Sequence, residues 1–497
     1  MTNKTNEKGH PKALYTLFAT EMWERFSYYG MRALLTLYLT AELVNGGFGL
    51  NREESLAIYA IFTGLVYLTP ILGGYVSDKF LGKRKTVYIG GIVMAIGQTL
   101  LAASAFLAHS LDVETRLFLF NFGLGVLIIG NGFFKPNIST IVGEFYDDND
   151  PRKDSAFNIF YMGINLGAIL GPFIAGALGE NVAWGYGYLA AAVGMVIGVL
   201  WLKARESSLE DKGLPPNSPK DKLVLDSKDW RDIIIYAISL VVTTFVVIYI
   251  WRMLPENVTS ILMYVGFTAL VVGLAYVIFK GTNGSAEWSR MAVILVLAFF
   301  NIAFWAGFEQ AGGTMNLFAK ENTDRLVFGW DVPATWFQNV NPLGILIFAP
   351  IFSVMWLKLD AMKINPRTPI KFAIGLFFGA LAFWIMTQAS NAAEGGNLVS
   401  PWWLVIVYVV LTFGELMLSP IGLSMITKLA PTKLVSVVMG LWMASFAAGN
   451  YLAGMLESML TKYDFELYPF ITMLMLGSGI CLLLLSPFLN KAMKGIH

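Results

Sequence analysis

The stretch GGYVSDKFLGKRKT, residues 73–86, is a short polar join between two long apolar runs. These runs, at about 54–77 and 85–108, are each long enough to cross a bilayer, which takes roughly 20 residues. Asp78 can cap a helix end and pair with the bases that follow it, Arg84 among them. The stretch therefore predicts a tight, basic connection between two membrane helices, with a conformational rather than a substrate-binding role.

The whole chain has the composition of a membrane protein. Of its 497 residues 56% are hydrophobic and 14% are charged, and the mean hydropathy is +0.61. A net charge of +1 implies no polyanion-binding field. One Cys and three His show no metal or nucleic-acid motif. We therefore expect no nucleic-acid partner, no metal and no cofactor, and we do not expect the polar first dozen residues to begin a cleaved signal peptide.

Apolar runs on both sides of residues 73–86 predict fourteen membrane spans, which place both termini on one side. Most of the 35 Lys and Arg residues fall in the termini and in loops on that side, so both termini are predicted to be cytoplasmic. The predicted parts are a cytoplasmic N-terminus at 1–12, a six-helix bundle at 13–203, a cytoplasmic linker at 204–228, an inserted hairpin at 229–280, a second six-helix bundle at 288–490 and a cytoplasmic C-terminus at 491–497.

This plan is that of an all-α membrane protein with two repeats of six helices. The hairpin carries no charges within its spans, so we expect it to lie off any transport path. The stretch FYMGINLGAILG, residues 160–171, has a glycine every fourth residue, which favours close helix packing. Asn165 and Tyr161 are its candidates for lining a cavity.

A polar stripe lies in the first span, in EMWERFSYYGMR, residues 21–32. Glu21, Glu24, Arg25, Tyr28 and Arg32 share one face of a helix that advances about 100° per residue. A structural staple of helix neighbours explains Glu21 with Arg25, but no acid stands three or four residues from Arg32 in the sequence. A charge at membrane depth costs several kcal/mol and marks a functional site.

Four more polar side chains lie within spans, at Lys135, Glu309, Asn341 and Glu415. The structural alternative is that these charges form buried ion pairs that lock helices together, which is a weak stability device. A cavity that rearranges is favoured because protonating an acid breaks its pair. The three histidines all lie in a terminus or loop, so carboxylates must carry any transported proton.

The motifs together resemble one family. The G-x-x-x-D-x-x-x-G-K-R pattern at 74–84 is similar to the loop signature of the major facilitator superfamily. The set E-x-x-E-R (Glu21, Glu24, Arg25), GNGFFKPNIS, FYMGINLGA, FWAGFEQ and GELMLSPIGLS resembles the bacterial branch of the proton-dependent oligopeptide transporter family, along essentially the whole chain. The resemblance implies twelve core helices in two bundles around a cavity that opens alternately to either side, with an added hairpin, in the cytoplasmic membrane of a bacterium.

By resemblance, the chain imports di- and tripeptides with protons. Glu21, Glu24 and Arg25 would couple protons with Lys135, and Glu309 would be a second protonation site tied to the grip of Arg32 on the peptide carboxylate. Glu415 with Asn341 would face the peptide amino group. The remaining implied positions are the pocket residues Tyr28, Tyr29, Tyr67, Asn165, Trp305, Ser419 and Trp442, and the outer gate pair Arg52 and Glu321.

Two departures from the family pattern are present. Ala168 stands where the family often has Ser, and Tyr67 and its neighbours occupy the part of the second span where animal relatives carry a histidine. The alternative function is transport of nitrate or another small solute on the same frame, although an acid such as Glu415 favours a substrate with a cationic end. A membrane enzyme or receptor would need a nucleophile, a metal cluster or a sizeable soluble domain, none of which the sequence shows.

Overall fold

The structure, a computed structural model, describes residues 9–147, 150, 152–215, 227–246, 276, 279–431 and 434–493. Its regular structure is helical except for one small hairpin. The helices are α1 (Lys12–Thr40), α2 (Arg52–Leu68), α3 (Pro70–Val76), α4 (Lys83–Phe106), α5 (Val113–Gly143), α6 (Arg152–Gly171), α7 (Ala177–Asn181), α8 (Trp184–Ala204), α9 (Ser227–Phe245), α10 (Gly284–Phe308), α11 (Thr314–Glu321), α12 (Val340–Ala361), α13 (Thr368–Ala392), α14 (Trp402–Leu429), α15 (Val435–Thr461) and α16 (Leu467–Ala492).

Several of these helices are joined by 3₁₀ or π-helical turns into longer spans. Among the described residues, eleven continuous helical segments are long and apolar enough to cross a membrane. α1 is not among them because four charged side chains lie in its middle, in the stretch 21–32. Most of the predicted hairpin at 229–280 lies outside the described residues, and α9 is its described part. The predicted termini and the linker at 204–228 are described only in part.

The tertiary contacts divide the chain into two units. The first unit is Met1–Leu50 with Leu68–Val246, and the second is Asn51–Tyr67 with Val247–His497. The predicted bundle at 13–203 included α2, whose residues up to Tyr67 here belong with the second unit.

In the first unit, α1 packs against α6 and α8, and α4 packs against α5 and α8. The glycines of residues 160–171 explain the first contact. A Cβ at Gly163 would lie 2.9 Å from the carbonyl oxygen of Phe18, and a Cβ at Gly167 would overlap that of Met22. The close helix packing that the glycine spacing predicts is therefore present, because the glycines let the backbone of α1 approach α6 closely.

In the second unit, α13 packs against α14 and α16, and α10 packs against α15. α2 meets α15 at Gly454, where a Cβ would lie 2.6 Å from the Cβ of Ala60. The antiparallel strands β1 (Leu326–Val327) and β2 (Trp330–Asp331) form a hairpin after α11. Its turn residues Phe328 and Gly329 have φ of 52° and 78°, the left-handed values that a two-residue hairpin turn requires.

Two of the spans contain a local departure from regular α-helical hydrogen bonding. The span Gly284–Glu321 contains a 3₁₀ turn at Glu309–Gly312, which joins α10 to α11. In the first unit, Pro136 follows Lys135 inside the helix α5. Pro136 frees the carbonyl of Gly132, and this carbonyl lies against Gly73 of α3, where any Cβ would overlap it.

Candidate functional site

The acidic cluster of the first unit is centred on Arg25. Its Nε lies 2.8 Å from Oε1 of Glu21 and 2.5 Å from Oε2 of Glu24. The Glu24 side chain is fully buried, and the other two are at most 5% exposed. One guanidinium therefore neutralises two carboxylates in a site without solvent screening, so a proton on either acid changes how Arg25 is shared.

α5 adds two further groups to this cluster. The amide of Asn131 donates to Oε1 of Glu24 at 3.4 Å, and Lys135, one turn further along α5, interacts electrostatically with Glu24. The structure thus brings Glu21, Glu24, Arg25 and Lys135 together as the sequence predicts. Glu24 therefore contributes to the contact between α1 and α5.

Two tyrosines of α1 lie beside the two arginines of the polar stripe. Arg25 lies over the ring of Tyr28 at 5.6 Å, and Arg32 lies over the ring of Tyr29 at 5.0 Å. Arg32 is 8% exposed. Asn165, which was also expected to line a pocket, is buried and donates to the carbonyl of Tyr161 at 2.9 Å. Its amide nitrogen is therefore engaged within its own helix.

In the second unit, Glu309 lies at the break between α10 and α11 and is 2% exposed. The hydroxyl of Tyr59 on α2 lies 3.2 Å from Oε2 of Glu309 and 3.0 Å from the backbone carbonyl of Glu309. A Cβ at Gly312 would lie 2.5 Å from that hydroxyl. The glycine at the end of the 3₁₀ turn therefore makes room for Tyr59 beside the carboxylate.

Glu415 and Asn341 form the second polar group of this unit. The amide of Asn341 donates to Oε2 of Glu415 at 2.8 Å and to Oγ1 of Thr412 at 3.0 Å. Glu415 interacts electrostatically with Glu309, so the two acids share one region. Ser419 follows Glu415 by one turn of α14, and no hydrogen bond to its buried Oγ is found within the described part of the chain.

The predicted pocket aromatics of the second unit meet at a residue that was not predicted, Phe446. The ring of Tyr67 stacks on Phe446 at 6.0 Å, Trp305 packs against it at 4.7 Å, and Trp442 lies at 6.3 Å. Trp442 is fully buried and fills the space against Gly422, where a Cβ would overlap its indole. Its surroundings are those of a packed side chain.

The predicted outer pair of Arg52 and Glu321 is present and includes a third residue. Nη1 of Arg52 lies 3.1 Å from Oε2 of Glu321, and Nε lies 2.5 Å from Oε1 of Glu457. The Glu321 side chain is 49% exposed, whereas that of Glu457 is 20% exposed. A cavity of about 290 Å³ lies beside Arg52 and Glu457.

Two bases of the join at 73–86 contact later parts of the chain. Lys83 pairs with Glu144 at 2.7 Å, and Nη2 of Arg84 donates to the carbonyls of Glu210 and Lys212 at 2.7 and 2.8 Å. Asp78 is exposed. The start of the linker therefore supplies carbonyl acceptors for Arg84 that a sequence pattern does not reveal.

The contributors to these groups that were missed include Tyr59, Asn131, Phe446 and Glu457. Asn131 had a signal, since it precedes Lys135 by four residues on the same helix face. The other three depend on which helices face one another, which no local pattern gives. Over the described ranges, no group of three or more His, Cys, Asp or Glu side chains is placed to hold a metal ion.

Long apolar helices with charged groups buried in both units are typical of a multi-pass membrane transporter. The model of the POT family matches residues 84–473, and the chain belongs to this family. It is 37% identical to the uncharacterized transporter YclF of Bacillus subtilis over 493 residues, which covers 98% of this chain and 96% of that protein. It is 35% identical to the peptide transporter YePEPT of Yersinia enterocolitica over 476 residues, which covers 93% and 90% of the two chains.

Comparison with solved structures supports the same family. The crystal structure of a peptide transporter POT in complex with sulfate matches with a TM-score of 0.85 at 35% identity, covering 99% of this chain and 98% of that one. The chain therefore has the helical major facilitator superfamily fold of these transporters, as the sequence predicted.

Proposed function

We propose that the protein is a proton-coupled symporter that imports di- and tripeptides by alternating access. The observation that carries this proposal is the buried Arg25 shared by Glu21 and Glu24, with Lys135 in electrostatic range. The family membership and the 35% identity to a protein named as a peptide transporter support the choice of substrate.

The proton step follows from the charges of the acidic cluster. With both acids ionised, Arg25 and Lys135 balance two negative charges in a buried site. A proton on Glu24 removes one of these negative charges. Arg25 then forms its ion pair with Glu21 alone, and the attraction between Glu24 and Lys135 is lost. α1 and α5 are then held less tightly, which is the kind of discrete rearrangement that a transport cycle needs.

The substrate step follows from the opposite charges that a zwitterionic peptide presents. We assign the peptide carboxylate to Arg32, whose hold depends on Glu309, and the amino group to Glu415, which Asn341 orients by the 2.8 Å hydrogen bond. Charge-assisted hydrogen bonds of this kind are strong and do not depend on the peptide side chains. Anchoring through the two termini therefore gives broad specificity.

The remaining assignments complete the proposal. Arg52 and Glu321 form an outer gate, and Asp78 and Arg84 act at the join at 73–86. The protein lies in the cytoplasmic membrane with both termini in the cytoplasm, and it uses no cofactor besides the transported proton. The tight docking of Arg84 on the linker carbonyls supports a conformational role for this join.

The variant Glu24→Gln tests the proton assignment. In proteoliposomes we expect it to lose peptide accumulation driven by an inward acid gradient while keeping exchange of peptide for peptide, because glutamine mimics only the protonated form. Glu114→Gln, in the exposed first turn of α5, is the control and should behave as the natural protein. Loss of exchange as well as accumulation would contradict the coupling role of Glu24.

The substrate is tested by competition against a labelled dipeptide. We expect unlabelled di- and tripeptides to compete, and free amino acids and nitrate not to compete. Competition by nitrate alone would replace the peptide assignment with the small-anion alternative. Glu415→Gln should weaken competition by peptides with a free amino group more than competition by N-acetylated ones, which lack the cation that Glu415 is proposed to bind.

A further inference from the structure

A chain of three buried hydrogen bonds runs from the indole of Trp305 to the backbone carbonyl of Trp442, the two predicted pocket tryptophans of the second unit. Nε1 of Trp305 donates to Oδ1 of Asn301 at 3.1 Å, and Nδ2 of Asn301 donates to Oγ of Ser445 at 2.9 Å. Ser445 in turn donates to the carbonyl of Trp442 at 2.6 Å. Asn301 and Ser445 are at most 5% exposed. Neither residue belongs to the proposed proton-coupling, substrate-binding or gating residues.

The geometry gives Asn301 control over the ring of Trp305. The two residues are one turn apart on α10, so the amide reaches the indole along the same helix face. The ring also packs against Phe308 at 4.9 Å and Phe446 at 4.7 Å. Aromatic packing fixes the plane of an indole, and the hydrogen bond fixes which edge of the ring points toward Asn301.

The second hydrogen bond ties this ring to the neighbouring helix. α10 and α15 approach closely at Gly449, where a Cβ would lie 2.6 Å from the Cβ of Trp305. Ser445 precedes Gly449 by one turn of α15, so the close approach is what lets Asn301 reach it. Any shift of α15 against α10 must therefore stretch a hydrogen bond that also orients Trp305.

We propose that Asn301 is a positioning residue that holds the indole of Trp305 in place and thereby sets which peptide side chains the transporter accepts. This inference rests on the proposed peptide transport, and on Trp305 as a residue that lines a side-chain pocket. Without Asn301 the indole N–H loses its buried acceptor, and the ring turns or tilts to find another one. A ring free to turn no longer presents one fixed surface to an aromatic substrate side chain.

The position of the indole is measured directly by ¹⁹F NMR. Protein labelled with 5-fluorotryptophan gives a Trp305 resonance, identified as the one that is missing in Trp305→Phe. We expect Asn301→Ala to shift and broaden this resonance. The matched control is Asn450→Ala, which removes another buried amide whose nitrogen donates within α15 to the carbonyl of Phe446. An unchanged Trp305 resonance in Asn301→Ala overturns the proposal.

Selectivity is measured as the ratio of Ala-Phe to Ala-Ala transport. We expect Asn301→Ala to change this ratio by about 2- to 10-fold, the effect of one net hydrogen bond, and Asn450→Ala to leave it unchanged. In a Trp305→Phe background, Asn301→Ala should add nothing further. An equal change in that background contradicts action through Trp305.

These measurements also distinguish misfolding of the Asn301 variant from failure of the proposed transport function. If Asn301→Ala does not fold, Ser445→Ala tests the same chain from α15 and should give the same resonance shift and change of ratio, or the proposal fails. If the natural protein moves neither dipeptide, the proposed function fails, whereas the NMR result still decides whether Asn301 orients Trp305.

Discussion

The packing of α1 on α6 makes Gly167 the position where a single methyl group has the largest consequence for the acidic cluster. A Cβ built there overlaps the carbonyl oxygen of Met22 and lies 2.7 Å from the Cβ of Arg25. Since carbon atoms prefer a separation of about 3.5–4.0 Å, Gly167→Ala must push the two helices apart by roughly 1 Å. This displacement acts on the turn of α1 that carries Glu21, Glu24 and Arg25.

The expected cost is a balance of two effects. Forcing an extra methyl group into a packed interface costs about 1–3 kcal/mol, whereas replacing glycine by alanine in a helix returns about 0.5–1 kcal/mol. The net loss is therefore roughly 1–2 kcal/mol. Gly477→Ala on α16 is the matched control, because no atom lies within 4 Å of a Cβ at that position. At Gly477 only the favourable effect of replacing glycine by alanine in a helix remains, so we expect Gly477→Ala to stabilise the protein.

The assay is thermal unfolding of the purified protein in detergent, followed by far-UV circular dichroism at one scan rate. We expect Gly167→Ala to melt several degrees below the natural protein, and Gly477→Ala to melt at the same temperature or above it. Peptide accumulation by Gly167→Ala should fall as well. If Gly167→Ala melts at or above the natural protein, the close contact of α1 with α6 is not as the structure has it.

Two other predictions concern the ends of the helices. Glu457→Gln should lower the melting temperature more than Glu321→Gln, because the ion pair of Arg52 with Glu457 is less exposed and less screened than the pair with Glu321; the reverse order in parallel melts would refute this. Hydrogen bonds from the first turn of α5 hold the pKa of Asp112 below its ordinary value, so its capping contribution is present above about pH 4 and is lost as the pH falls further. The difference in melting temperature between the natural protein and Asp112→Ala should therefore shrink between about pH 6 and pH 3, and a constant difference would contradict the sign.

The sequence was sufficient for the helical fold because span length and charge in a membrane are strongly constrained. Every backbone polar group needs a partner there, so long apolar runs become helices wherever they occur. It was also sufficient to bring Glu21, Glu24 and Arg25 together, since they lie within five residues on one helix. The pairing of Asn341 with Glu415 is a different case, because these residues are on separate helices and only the family motifs connected them.

What the sequence could not give depends on contacts between helices. Tyr59 carries no charge and lies in an apolar helix, so nothing local marks it as the partner of Glu309. The position of its hydroxyl beside Glu309, in the space left by Gly312, likewise has no local signal. Arg84 donates to carbonyls of the linker, which lie more than 120 residues away along the chain, so no local pattern indicates these acceptors.

The most direct test of the central claim is peptide uptake by the purified protein in liposomes under an imposed inward proton gradient. We expect labelled di- and tripeptides to accumulate above their external concentration when the gradient is present, tetrapeptides not to accumulate, and a protonophore to abolish accumulation. Uptake that proceeds equally with and without the gradient would contradict the coupling of transport to the carboxylates of α1.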